Sequence, residues 1–195
     1  LMIRRPPRST LSSSSAASDV YKRQAEPLGQ PGLYRKLREN YFERVEAIEF
    51  TMAHDDGRDP AGWPWADILL IGASRTGKTP LSLYLSVLGW KVANFPLVPH
   101  VSPPPELFEV DPERVIGVVM EPGQLIMHRQ KRQRRLGAPG VSDYVDPPKV
   151  HEEIEASKQF FRRHGFSFID VTDKPIETSA DEVVRIITRR FRSVS

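Results

Sequence analysis

The spacing of apolar positions changes several times along the chain, and each change marks a new element. Between residues 33 and 52, Leu37, Tyr41, Val45, Ile48 and Met52 recur at intervals of four, four, three and four, which predicts an amphipathic helix. The polar corner His54-Asp55-Asp56-Gly57-Arg58-Asp59-Pro60 reads as a loop. Trp63 and Trp65 then bracket Pro64. The largely apolar run 66–71 suits a buried parallel strand, and from Thr79 onward Leu81, Tyr84, Leu85 and Leu88 fall at helical spacing. Residues 91–98 read as a second strand in which Pro96 suggests an edge or an end. Residues 99–105 hold four prolines and must be irregular. A third strand, 115–120, leads through Glu121-Pro122 into a helix stopped by Gly137, and a further helix, 147–164, ends at Gly165. Residues 166–171 form a fourth strand. The last helix carries Ile176, Ala180, Val183, Val184, Ile187 and Phe191 on one face. Strands alternating with helices predict an α/β fold, a mainly parallel sheet of four to five strands with helices on both faces.

Composition narrows the class. A chain of 195 residues with 39% hydrophobic content can build one core, and no apolar stretch approaches the ~20 residues that span a bilayer, so no membrane partner is expected. Cysteine is absent, which removes disulfides, thiolate ligands and thiol nucleophiles together. The net charge of +3 comes from the first 24 residues, with Arg4, Arg5, Arg8, Lys22 and Arg23 against Asp19. Removing those five from 28 and that one from 25 leaves 23 basic and 24 acidic residues, so the folded part lacks a nucleic-acid footprint.

Residues 1–24 have no hydrophobic period and are set apart as a leader. Their string, ending Asp19-Val20-Tyr21-Lys22-Arg23-Gln24, resembles translated sequencing-adaptor sequence; an Arg- and Ser-rich organelle transit peptide is the alternative. Residues 25–32 read as a linker and 33–195 as one domain.

The chemistry concentrates in Gly72-Ala73-Ser74-Arg75-Thr76-Gly77-Lys78-Thr79, a complete G-x-x-x-x-G-K-[ST] motif between a strand and a helix. Such a turn aims backbone N–H groups and a helix N-terminus at one point, which suits a pyrophosphate. Lys78 would meet the terminal phosphate, Thr79 would meet Mg²⁺, and Arg75 would add a second phosphate contact. The bland alternative is a glycine-containing strand-to-helix turn with a chance lysine.

His54, Asp55 and Asp56 could supply a proton acceptor or a metal ligand for phosphoryl transfer, or could be a helix end followed by an Asx-type turn. Glu121 and either Asp170 or Asp173 lie where strand ends meet the crevice of an open sheet, and could support a metal or cap their own helices. The basic run Arg129, Lys131, Arg132, Arg134 and Arg135 reads as a solvated helix face, with a docking patch or phosphate clamp as the alternative.

Three segments taken in order resemble the pyruvate, phosphate dikinase regulatory protein family, which also includes regulators of phosphoenolpyruvate synthase. They are Glu46-Ala47-Ile48-Glu49-Phe50 with His54-Asp55-Asp56-Gly57, the motif continued through Pro80-Leu81-Ser82, and Val92-Ala93-Asn94-Phe95-Pro96-Leu97-Val98-Pro99. Leu107-Phe108-Glu109-Val110-Asp111 and Ile169-Asp170-Val171-Thr172 continue the likeness, which covers roughly residues 33–191 and only the C-terminal portion of such a protein.

The resemblance implies a P-loop kinase-like domain with two activities. A serine/threonine kinase would use ADP to phosphorylate a threonine of the dikinase and switch it off. A phosphorylase would use inorganic phosphate to remove that group as pyrophosphate. By position, Gly72 to Thr79 would bind ADP, with His54, Asp55 and Asp56 catalytic and with Thr79 and Asp56 holding Mg²⁺. The partner would be the dikinase or the synthase, and the location the cytoplasm or the plastid stroma. The family's N-terminal domain has no counterpart here, so the chain is expected to bind nucleotide without necessarily being fully active. A P-loop kinase of a small metabolite, with residues 99–105 as a lid, and a non-catalytic interaction remnant are the competing readings.

Overall fold

Alternate residues of the first strand feed two separate cores. In this computed structural model, which describes residues 33–137 and 143–192, β1 (Ile68–Ala73) directs Leu69 and Ile71 into one buried cluster and Ile68 and Leu70 into another. A strand covered on both faces reads as a continuous apolar run, as this one does. Three further strands, β2 (Val92–Leu97), β3 (Val115–Val119) and β4 (Ser167–Asp170), complete a parallel sheet in the order β2-β1-β3-β4. The architecture is the expected α/β fold, consistent with a P-loop kinase-like domain.

Among the described residues the α-helices are α1 (Leu33–Ala53), α2 (Lys78–Val87), α3 (Pro122–Arg135), α4 (Pro147–His164) and α5 (Ile176–Arg192). One sheet face is covered by Leu81 and Leu85 of α2 and by Ala180, Val183 and Ile187 of α5. On the other, Phe161 of α4 shares a buried cluster with Trp63, Leu107 and Phe166. Gly165 takes the left-handed conformation, φ 71°, that ends α4. The chain divides into two units, Leu1–Arg38 and Glu39–Ser195; of the first, the described residues 33–38 are helical, and the sheet lies within the second.

From β1 the chain moves outward to β2 and then returns to β3 on the other side of β1. The carboxyl end of β1 is therefore a switch point, where an open parallel sheet leaves a crevice. Pro96 sits near the end of β2, an edge strand, where a missing N–H is tolerated.

Two expectations are corrected. The apolar stripe of α1 is only partly covered: Tyr41 is 64% and Met52 60% exposed and Val45 and Ile48 are half-buried, whereas Ala47, Thr51 and His54 are buried. The reason is the edge of the sheet. Thr51 Oγ1 accepts the Val92 N–H at 3.1 Å and the His54 carbonyl accepts the Asn94 N–H at 3.2 Å, so α1 and its C-terminal turn supply partners that the start of β2 would otherwise lack. The other is Arg129 of the basic run, which is buried and not on a solvated face. Phe191, Leu37 and the proposed leader and linker lie outside the residues whose side chains are described. Among the described residues, no helix is long and apolar enough to cross a membrane.

Candidate functional site

The motif occupies the crevice at the end of β1. Gly72 lies so close to β3 that a Cβ would collide with the Val118 carbonyl oxygen, and Gly77 has φ 84°, the left-handed conformation at the start of α2 that a side chain disfavours. Between them the chain turns, with Thr76 Oγ1 donating to the Ala73 carbonyl at 3.0 Å.

Lys78 is buried beneath this turn, and its ammonium donates to the carbonyls of Gly72 at 3.0 Å and Ala73 at 2.8 Å. An ammonium has three protons, so these two bonds leave one for a ligand. Burial pushes its pKa down from 10.5 to about 8, opposed by the nearby Asp56 carboxylate and reinforced by Arg129.

A cavity of about 550 Å³ opens above the turn. Its lining includes Ser74, Arg75, Gly77, Lys78 and Thr79 from the motif, Asp55 and Asp56 from the acidic corner, and His128 and Arg132 from α3. The two aspartates thus face the same space as the lysine. Gly72, Ala73 and Thr76 of the motif are buried at its root and do not line it.

Asn94 positions the aspartates. Its buried side chain donates through Nδ2 to Asp55 Oδ1 at 2.6 Å and to Ser82 Oγ at 3.1 Å, and its Oδ1 accepts the Asp56 N–H at 3.1 Å. Ser82 in turn donates to the Lys78 carbonyl at 2.9 Å. The acidic corner, β2 and α2 are joined by one fully satisfied network, which makes it rigid. Asp56 adopts φ 56°, a left-handed conformation that Asp tolerates better than most residues.

His54 is placed apart from its neighbours. Its Nδ1 donates to the Phe50 carbonyl at 2.7 Å, its ring stacks on Phe50 with centroids 4.0 Å apart, and Nε2 lies 3.5 Å from Asp59. It does not line the cavity.

Arg129 is 1% exposed and is not part of a solvated face. Its guanidinium makes a two-pronged pair with Glu153 of α4 at 2.7 and 2.8 Å. Nε and Nη2 donate to the Ser74 carbonyl at 3.2 and 3.1 Å, and Nη1 reaches the Tyr144 carbonyl at 3.1 Å. A planar fork with five donors suits this task, and burial is tolerated because the charge is paired. Arg129 braces the phosphate-type loop from below, while Arg132 of the same run lines the cavity.

Glu121, Asp170 and Asp173 are engaged locally. Glu121 accepts the Gln124 N–H at 2.9 Å as the cap of α3, and this and the Gly123 N–H hold its carboxyl below the usual range. Asp170 accepts the Thr172 N–H at 2.9 Å, and Asp173 pairs with Gln124. Residues of the proline-rich segment line smaller cavities against α4 instead of this one.

Among the described residues, no group of three or more His, Cys, Asp or Glu side chains is gathered to hold a metal ion. Asp56 and Thr79 nevertheless share the cavity, and Mg²⁺ commonly takes only one or two protein oxygens together with phosphate and water. The donor set fits that cation.

A family model described as Kinase/pyrophosphorylase matches residues 14–184. A Chloroflexus aurantiacus protein named as a pyruvate, phosphate dikinase regulatory protein is 55% identical over 166 residues, 85% of this chain and 60% of that protein. A protein of the same name from Desulfotalea psychrophila is 48% identical over 86% of this chain and 59% of its own length. A Syntrophomonas wolfei protein, numbered 2 under that name, is 46% identical over 87% and 62%. The chain spans about 60% of the length of these curated relatives. With a strand-loop-helix motif, two aspartates facing its lysine, and a family match across most of its length, the chain belongs to the kinase/pyrophosphorylase family.

Proposed function

We propose that this chain carries the nucleotide-binding and phosphoryl-transfer site of a regulatory protein for pyruvate, phosphate dikinase. The site would act as an ADP-dependent threonine kinase in one direction and a phosphate-dependent, pyrophosphate-forming phosphorylase in the other. The observation that carries the reading is the shared cavity, in which Asp55 and Asp56 face Lys78. The relatives' name supplies the dikinase as partner.

In the kinase direction the diphosphate of ADP lies along Gly72 to Thr79, with the Lys78 ammonium and Arg75 at its oxygens. Asp55, held by Asn94, accepts the proton of the incoming threonine hydroxyl. The threonine oxygen bonds to the β-phosphorus, the bond from that phosphorus to the bridging oxygen breaks, and AMP leaves. In the phosphorylase direction an oxygen of inorganic phosphate attacks the phosphothreonine phosphorus. Pyrophosphate departs, and the threonine oxygen recovers its proton from Asp55. Arg132 adds positive charge on the α3 side, where developing negative charge on the transferred group gains from a fixed cation, and His128 lines the same side. Asp56 and Thr79 would hold Mg²⁺, which supplies charge neutralisation to the phosphates.

Incubation of the chain with ADP labelled in its β-phosphate and purified dikinase tests the reading, with a full-length relative run in parallel. Label on a dikinase threonine, released as pyrophosphate when phosphate is added, is the expected result. Transfer by the full-length relative but never by this chain, under conditions where both bind ADP, would contradict it.

A further inference from the structure

The cavity above the motif is lined mainly by charged and polar residues, with Pro80 as the apolar residue among them. It suits a diphosphate, and apart from the Pro80 ring no aliphatic side chain lines it to cover the faces of a heterocycle. A second cavity, of about 170 Å³, lies against the same turn and shares Gly77, Pro80 and His128 with the first. Its character is opposite. Leu81, Met120, Val171 and Ile176 present aliphatic and thioether surface, with Gln124 and Lys174 among its polar lining groups.

We propose that this second cavity receives the base of a nucleoside diphosphate whose phosphates occupy the first. The proposal rests on the reading that the motif binds such a ligand, and adds where and how the base is held. Small-molecule sites combine mainly apolar walls with a few polar groups, and the two cavities supply these halves on either side of the Gly77–Pro80 turn.

The walls are preformed. After β4, Thr172 Oγ1 accepts the Glu121 N–H at 2.9 Å, while Gln124 donates through Nε2 to Asp173 at 3.0 Å and accepts the Asp173 N–H at 3.2 Å. These bonds fasten the β4–α5 connection to the start of α3, so Val171 and Ile176 keep a fixed place opposite Met120. They also engage part of the polar lining. Gln124 is committed to Asp173, Lys174 to Glu182 at 2.8 Å, Ser179 to the Pro175 carbonyl and Thr76 to the Ala73 carbonyl. The base is held by burial of its faces more than by hydrogen bonds to its edge.

Calorimetric titration of the intact chain with ADP and, separately, with pyrophosphate tests this. Ile176 opens α5 and is half-buried at the margin of the core, so a bulky residue there reaches into the cavity; Val171→Trp is a second obstruction from the β4 side. The expected outcome is that Ile176→Trp and Val171→Trp each weaken ADP at least about tenfold and leave pyrophosphate affinity within about twofold. Retained pyrophosphate binding also shows that each variant is folded at the site. Unchanged ADP affinity in both variants, or equal losses for ADP and pyrophosphate, would overturn the subsite while leaving the motif reading intact. Failure of both ligands to bind the parent chain would overturn the motif reading and the subsite with it.

Discussion

The side-chain amide of Asn94 holds the carboxylate of Asp55 at 2.6 Å, across 39 positions of sequence, and the same amide accepts the neighbouring Asp56 N–H. Replacing it with alanine strips partners from a backbone donor and a carboxylate together. Leaving such groups unmet costs about 1–3 kcal/mol. Asn94→Ala is therefore expected to lower the urea unfolding free energy by about that amount and to slow phosphoryl transfer more than it weakens ADP. An unchanged unfolding midpoint would show that the network is not what holds the acidic corner.

Arg129 and Glu153 form the other long-range link. Removing one partner of a buried ion pair costs about 3–5 kcal/mol, much of it from the charge left behind, so Arg129→Met should be strongly destabilising and Arg129→Met with Glu153→Met should recover most of the loss. ADP affinity should stay reduced in the double variant, because the Ser74 carbonyl has still lost two donors. Chemical unfolding and calorimetry on the same three proteins separate the effects.

The Lys78 ammonium gives a signature in pH. Its pKa is about 8 in the folded chain against 10.5 for an ordinary lysine, so between those values the unfolded state binds a proton that the folded state does not. Stability then rises with pH across that window and carries the full burial penalty below it. Relative to Lys78→Met, the parent chain should gain on the order of 3 kcal/mol of unfolding free energy between pH 7.5 and 10.5. Parallel stability profiles for the two proteins would show that the ammonium is not desolvated.

Asp55→Asn tests the proton acceptor. A general base contributes about 100- to 10,000-fold, so transfer to the dikinase should fall within that range while the ADP dissociation constant moves only a few-fold. Asp56→Asn, on the metal side of the proposal, should instead raise the Mg²⁺ concentration needed for half-maximal transfer. His54→Gln, away from the cavity, should spare transfer at temperatures where the fold holds.

Much of this architecture is legible from local pattern. The motif at Gly72 to Thr79 declares itself because glycine spacing, the lysine and the flanking strand and helix all lie within about twenty residues. Gly165 marks the end of α4 for the same local reason. What escapes a linear reading depends on pairing at a distance. Arg129 looks like one more solvated cation until Glu153 and Ser74 fold around it, 24 and 55 positions away. Nothing in the sequence distinguishes Asn94 from any polar residue in an edge strand. The buried side of α1 is set by Ala47 and Thr51, and the value of Thr51 lies in completing the edge of β2 and not in hydrophobicity. Tyr41 and Met52 satisfy the helical period yet stay exposed, since periodicity identifies a helix and not the surface it meets.

The central claim is that the turn after β1 wraps a diphosphate with Lys78 as its cation. Calorimetric titration of ADP with Mg²⁺ into the parent chain and into Lys78→Ala tests it most directly. Loss of one charge-assisted hydrogen bond, about 1.5–3 kcal/mol, predicts affinity weakened about 10- to 100-fold in the variant. Equal ADP affinity in the two proteins would contradict the account.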